Sequence, residues 1–321
     1  MTHKLYYGLL LSIILAAIVY FAGVVLSDPA ATLAAVRRLG MPAASAILGL
    51  SLLNYALRYL RWDAGIRRLT GRRLPHAMHL TSYVAGFAFT TTPGKAGEAF
   101  RCVLLKREGV GHDASLAVLV YERVLDLATM LVLASLALFA FPRYNWLLLV
   151  TLAILIAFLA SLHGGLLTAI CNWLAQRSGG RIGRLLHHIG HLLAQTRTLL
   201  GWQPLLGGLV VGIIAWGSEG VGLYLILHAF GLGVSPPLAV GVYALGMLAG
   251  AFSIVPGGIG GAEAMMTLCL KLLGVPLGMA VAATLVCRVA TLWFAMLLGL
   301  IACAKAAARP GLEPALIKEG K

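Results

Sequence analysis

Apolar residues occur in long blocks separated by short polar, glycine-bearing passages. Six blocks run for 18 residues or more: Leu5–Leu26, Met41–Leu60, Asp113–Phe141, Trp146–His163, Pro204–Phe230 and Leu277–Ala304. At that length a helix crosses a hydrocarbon core of about 30 Å. Two further apolar stretches, 76–109 and 238–274, are broken in the middle. The arms of the first, Ala77–Phe89 and Ala96–Leu105, are each too short to span, so a re-entrant hairpin is predicted. Between the fourth and fifth blocks the pattern changes to that of a surface helix. Ile182, Leu185, Leu186, Ile189, Leu192 and Leu193 share one face, with Arg181, Arg184, His187, His188 and His191 on the others, which predicts an amphipathic helix lying on the membrane.

The two broken passages follow one plan. Thr90-Thr91-Thr92-Pro93-Gly94-Lys95-Ala96-Gly97-Glu98-Ala99 and Ser253-Ile254-Val255-Pro256-Gly257-Gly258-Ile259-Gly260-Gly261-Ala262-Glu263-Ala264 each give a Pro-Gly break, small residues, then a carboxylate followed by Ala. Each carboxylate is followed 25 residues later by an Arg-Val inside an apolar block, Glu98 by Arg123 and Glu263 by Arg288. The chain therefore reads as two diverged copies of one unit. Residues 1–141 form the first repeat, with hairpin 76–109 and helix 113–141. Residues 142–304 form the second, with interfacial segment 164–203, hairpin 238–274 and helix 277–304. A basic tail, 305–321, follows.

Composition agrees with a bilayer. Of 321 residues, 60% are hydrophobic and 11% charged, and mean hydropathy is +0.92, outside the range of soluble domains. The first block is too long in its apolar core for a signal peptide, and is read as an anchored helix. The net charge of +14 lies in loops, as the positive-inside rule predicts, and not on a nucleic-acid-binding domain. The densest basic stretch is Arg61, Arg67, Arg68, Arg72 and Arg73. It sets an expected orientation with both termini on the cytoplasmic side of the inner membrane and the two repeats inverted relative to one another. The fold class is thus all-α and polytopic, with about six full spans and two re-entrant hairpins. The five cysteines show no paired or metal-ligand spacing and read as packing residues.

Charges inside the blocks are the candidate chemistry, since each costs about 2.5–3.5 kcal/mol on insertion scales and needs a partner. Glu122, Arg123 and Asp126 lie on the third block and Arg288 on the sixth. Glu219, in the fifth, is either protonated and hydrogen-bonded or a proton carrier. Asn54, Arg58 and Arg61 share a face that is either a snorkelling anchor or a headgroup entrance. Thr92 can cap the second hairpin arm and Pro93 suits its first turn, so the N–H groups at Gly94 point into the membrane and favour an anion. The histidine cluster 187, 188 and 191 has no carboxylate or thiolate near it in sequence, and no metal is assigned.

Thr91-Thr92-Pro93-Gly94-Lys95-Ala96-Gly97-Glu98 with Arg101, Glu122-Arg123 with Asp126, Val255-Pro256-Gly257-Gly258-Ile259-Gly260 with Glu263, and Arg58 with Arg61-Trp62 resemble the membrane domain of the lysylphosphatidylglycerol synthase family, the flippase-like domain. The resemblance covers nearly the whole chain. It implies handling of a lipid, in a family with members linked to hopanoid or glycolipid pathways. In two-domain members a separate soluble domain transfers the aminoacyl group. The chain ends at Lys321, soon after its last helix, which argues against aminoacyl-lipid synthesis.

The favoured expectation is a flippase-like protein that binds, and moves between leaflets, an anionic or headgroup-modified lipid. Thr92, Gly94, Lys95, Glu98, Arg101, Arg58, Arg61, Gly257 and Gly258 are the candidate lipid contacts. Glu98, Arg123, Glu263 and Arg288 either exchange partners during transport or are static ion pairs that locate the hairpins. No Gly-rich phosphate loop occurs and no cofactor is assigned. The chain is read as non-enzymatic because Glu122 with Asp126 is the only close acidic pair in a block, and no serine or cysteine has an evident histidine base. The other readings are a non-transporting accessory subunit that recruits lipid-pathway enzymes and, behind it, an intramembrane lipid transferase. Neither the lipid nor the oligomeric state follows from the sequence.

Overall fold

The computed structural model describes residues 29–90, 100–106, 108–140, 143, 145–253 and 258–307. Every described element is helical: α1 Pro29–Arg38, α2 Gly40–Thr70, α3 His76–Ala85 with a 3-10 turn Gly86–Phe89, and α4 Phe100–Lys106. Then come α5 His112–Ala134 with a 3-10 turn Ser135–Phe139, α6 Asn145–His163, α7 Leu166–Arg177, α8 Gly180–Leu199 and α9 Trp202–Ala229. The chain continues as α10 Pro236–Phe252, α11 Gly261–Leu272, α12 Leu277–Arg288, a π-turn Val289–Trp293 and α13 Phe294–Ala307. No strand occurs among the described residues.

Three stretches, α2, α9 and the continuous run Leu277–Ala306, are long and apolar enough to cross a bilayer. A fourth is available if Leu149–Ser161 and Leu166–Arg177, which meet at 66°, count as one broken span. The chain is an integral membrane protein. Large apolar side chains such as Leu149, Ile154 and Ile156 on α6 and Leu206, Val210 and Ile214 on α9 point outward, as a lipid-facing surface requires. The predicted first block, Leu5–Leu26, lies outside the described residues.

Two elements differ from the pattern-based expectation. Helix α2 continues ten residues past the predicted end at Leu60 and stops only at Gly71, whose left-handed φ of 66° lets its N–H reach Arg67 O. Arg61, Arg67 and Arg68 are therefore helical and not in a loop. The segment 164–203 is two helices, and α8 packs on α7, α5 and α2. Its predicted apolar stripe is divided: Leu193 packs against the core, while Ile182, Leu185 and Ile189 are exposed. Gly183, Gly190, Thr196 and Leu199 form the buried side instead, and at Gly190 an added Cβ would lie 2.8 Å from Asn172 Oδ1 of α7.

Helices α2 and α9 form the centre. Asn54 Nδ2 donates to Ala215 O at 2.8 Å and Ser218 Oγ to Leu50 O at 3.0 Å. The later residue of one helix thus meets the earlier residue of the other, and the two run antiparallel. Around this pair α3 and its 3-10 turn pack on α13, while α10 packs on α5 and its 3-10 turn. Close approach of α9 to α5 depends on Gly208 and Gly212, where an added Cβ would lie 2.4 Å from Leu125 and 2.4 Å from Thr129. One apolar core joins α9–α12 to the far half of α5, and a second joins α2–α4 to its near half. The polar residues gather on α5 between Leu125 of the second core and Ala128 of the first.

Candidate functional site

Asp126 of α5 is the hub of a buried ion cluster. Its Oδ1 accepts from Arg61 Nη2 and, at 3.0 Å, from Trp216 Nε1. Its Oδ2 lies 2.9 Å from Arg123 Nη2 and 3.8 Å from Arg58 Nη2. One turn earlier Glu122, fully buried, accepts from Arg101 Nη2 and lies 3.9 Å from Arg61 Nη2. The guanidinium groups also lie over aromatic faces, Arg101 3.8 Å from the Trp62 ring centre and Arg58 4.7 Å from that of Trp216. Among the described residues four arginines therefore meet two carboxylates.

A second layer holds this cluster. Trp62 Nε1 donates to His79 Nε2 at 2.9 Å, so the imidazole proton resides on Nδ1 and points to Asp63 Oδ1, also 2.9 Å away. Arg67 closes on the other Asp63 oxygen at 2.8 Å. The indole that carries Arg101 is thus fixed in orientation.

On the other side of the α2–α9 pair the charges are tied differently. Glu263 Oε2 accepts the Gly260 N–H at 2.7 Å and caps α11, while Oε1 accepts Arg288 Nε, also at 2.7 Å. One carboxylate thereby joins the second hairpin arm to the last long helix. The cap requires glycine at Gly260, with φ 87°, and at Gly258, with φ 67°, where a Cβ would lie 2.9 Å from Gly250 Cα. Arg288 immediately precedes the π-turn, a distortion frequent at functional positions. Glu219 accepts from the Tyr243 hydroxyl, and the Tyr55 hydroxyl donates to Thr291 O in the π-turn.

Between these regions is a cavity lined by Tyr55, Arg58, Phe87, Thr90, Trp216, Glu219, Tyr243, Met247 and Arg288. It has about 50 Å³ of room for water, above the roughly 10–15 Å³ needed to hold one molecule. Two arginines and a glutamate, all buried, reach it from three different helices. Thr90, the first residue of the predicted Thr-Pro-Gly passage, is among its lining residues. Its ionisable lining is two guanidinium groups and one carboxylate, the latter accepting from the Tyr243 hydroxyl.

The sequence-derived candidates fall into three groups. Thr92, Gly94, Lys95, Glu98 and Gly257 lie outside the described residues, as do most of both Pro-Gly tips. Glu122, Arg123, Asp126, Arg101, Arg58 and Arg61 come together in the first cluster, and Glu219, Glu263 and Arg288 stand in the second region, with Gly258 at its turn. Arg58 and Arg61 are 6% and 5% exposed, which overturns the snorkelling alternative: their partners are carboxylates of α5, not water. Sequence reasoning missed Trp216, Tyr243, Tyr55, Asp63 and His79 as site residues. Trp216 sits in the same Trp-Gly-Ser-Glu passage as Glu219, one helical turn before it, and that spacing was the available signal. The histidines of α8 gain a carboxylate that the sequence did not put beside them, with Asp113 at 3.8 Å from His188 and 3.5 Å from His191. No three metal-ligating groups converge among the described residues.

An integral membrane protein with ion pairs between broken helices is the class this geometry defines. The model of the lysylphosphatidylglycerol synthase transmembrane region matches residues 7–299, and the chain belongs to that family. It is also similar to a UPF0104 membrane protein of Methanothermobacter thermautotrophicus, 24% identical over 79% of this chain and 82% of that one. A UPF0104 membrane protein of Methanocaldococcus jannaschii is 25% identical over 64% of this chain and 67% of its own.

Proposed function

We propose that the chain is a lipid translocase of the inner membrane, non-enzymatic, which binds an anionic or headgroup-modified lipid at the central cavity and passes it between leaflets. The observation that carries this reading is the chamber itself, where Arg58, Arg288 and Glu219 converge from three helices at the crossing of α2 and α9. A lipid headgroup crossing hydrocarbon needs compensating charge, and a phosphate satisfies two guanidinium groups.

The mechanism takes the chain as an inverted repeat of six spans, and the helix packing supports that reading. Each hairpin packs on the last long helix of the opposite half, α3 on α13 and α10 on α5. Two glycines mark the exchange: a Cβ on Gly299 would lie 2.2 Å from Ala88 N, and one on Gly241 2.5 Å from Ala137 N. Antiparallel α2 and α9 are the corresponding helices of the two halves. Rocking of one half against the other would open the cavity alternately to each leaflet. The basic end of α2, with Arg67 and Arg68 and the following Arg72 and Arg73, supports a cytoplasmic side for that end and for both termini.

The small volume of the cavity favours a second reading, a non-transporting subunit that holds lipid-pathway enzymes in place. Leaflet exchange of labelled phosphatidylglycerol and phosphatidylcholine in proteoliposomes separates the two. A translocase accelerates exchange at least about tenfold over protein-free vesicles, a difference of about 1.4 kcal/mol, and prefers one headgroup. Folded protein that leaves exchange at the protein-free rate for a full panel of native lipids overturns the reading.

A further inference from the structure

Outside the central cavity a larger groove runs between α2, α5 and α9, with about 450 Å³ of room, lined by Leu60, Arg61, Arg68, Tyr121, Gln203, Gly207 and Gly208 among others. We propose that this groove is a separate binding site for the phosphate of a membrane lipid, held by Arg61 and Arg68, from which the headgroup enters the central cavity. The inference rests on the translocase reading for its last step, but the site stands on its own geometry.

Arg61 and Arg68 are seven residues apart on α2 and so project on the same face, two turns apart. Arg61 is 5% exposed, and although Nη2 is committed to Asp126, its Nε and Nη1 are buried with no hydrogen-bond partner among the described residues. A buried guanidinium edge without acceptors is costly, and a side-chain shift toward the groove that Arg61 lines would give it an anionic oxygen as acceptor. The planar fork makes this possible without breaking the Asp126 bond, because Nη1 and Nη2 face different directions. Arg68 supplies a second cation at the exposed end of the groove.

The surroundings decide what kind of anion arrives. Leu60 lines the groove and is itself exposed, and the outward side of α9 is apolar through Leu206, Val210 and Ile214. A ligand approaching from that side must carry acyl chains, so the occupant is a lipid and not free phosphate. Gly207 keeps the space open, since a Cβ there would meet nothing within 4 Å. Asp126 links the groove to the cavity, because Arg61, which lines the one, and Arg58, which lines the other, both pair with that carboxylate. A phosphate that draws Arg61 toward the groove thereby changes the field at Arg58.

The test is retention of phosphatidylglycerol by the full chain, read by native mass spectrometry, against diacylglycerol as the phosphate-free probe. Gly207→Leu fills the groove from a position where a Cβ meets nothing within 4 Å, and Arg68→Gln removes an exposed cation. Each is expected to lower retention at least about tenfold, about 1.4 kcal/mol, while diacylglycerol is retained poorly by all three proteins and millimolar inorganic phosphate does not displace the lipid. Unchanged retention in both variants, equal retention of diacylglycerol, or displacement by inorganic phosphate alone overturns the proposal. Retention involves no transport, so a protein that retains lipid in this manner and fails to exchange it counts against the translocase reading and not against the groove.

Discussion

Two buried ion assemblies flank the α2–α9 crossing, and they are built on opposite principles. At Glu263 both carboxylate oxygens are committed, one to the α11 cap and one to Arg288. Around Asp126 and Glu122, arginines from three helices share two carboxylates, and part of Arg61 is left over. A saturated pair fixes one geometry. A shared, cation-rich cluster tolerates rearrangement and admits an anion. The first type locates a hairpin arm, and the second has the composition of a binding region.

Removing the saturated pair gives the largest expected effect. Glu263→Ala deprives Arg288 of its carboxylate and α11 of its cap, a loss of about 3–5 kcal/mol for the uncompensated charge with about 1 kcal/mol more for the cap. Thermal unfolding in detergent reads it, and wild-type stability in that variant would break the distinction. Asp126→Asn should cost less, about 2–3 kcal/mol, because Glu122 remains within 3.9 Å of Arg61. The double variant Asp126→Asn with Arg61→Gln should recover part of that loss, with a coupling of about 1–3 kcal/mol. Trp216→Phe removes one charge-assisted hydrogen bond to Asp126 and should cost about 1.5 kcal/mol. Smallest is Arg68→Gln, whose side chain is exposed: stability should stay within about 0.5 kcal/mol, so that any loss of lipid retention is a binding effect.

Much of this arrangement was legible in the sequence. The apolar blocks anticipated α6, α9 and the run from Leu277, and the spacing of 25 joined Glu263 to Arg288. The end of α2 was not legible. A run containing Arg61, Arg67 and Arg68 looks like an exit into water when charge alone is counted. The acidic partners that keep Arg58 and Arg61 inside are on α5, more than 60 residues away, and no local pattern announces them. The same applies to Tyr243 and Glu219, which meet through packing of α10 on α9. Asp63 was overlooked for another reason: it reads as loop polarity until α2 is extended past it, and its partner His79 is on α3.

The comparison also locates the decisive side chain. Arg58 belongs to the shared cluster through Asp126 and to the chamber through its position beside Glu219 and Arg288. The most direct measurement is therefore leaflet exchange of phosphatidylglycerol in proteoliposomes by Arg58→Gln, with unfolding measured on the same preparation. The account predicts exchange reduced to the protein-free rate in a variant that stays folded and still retains lipid in the outer groove. Exchange at the wild-type rate in folded Arg58→Gln would contradict it, because a headgroup would then be crossing without the chamber.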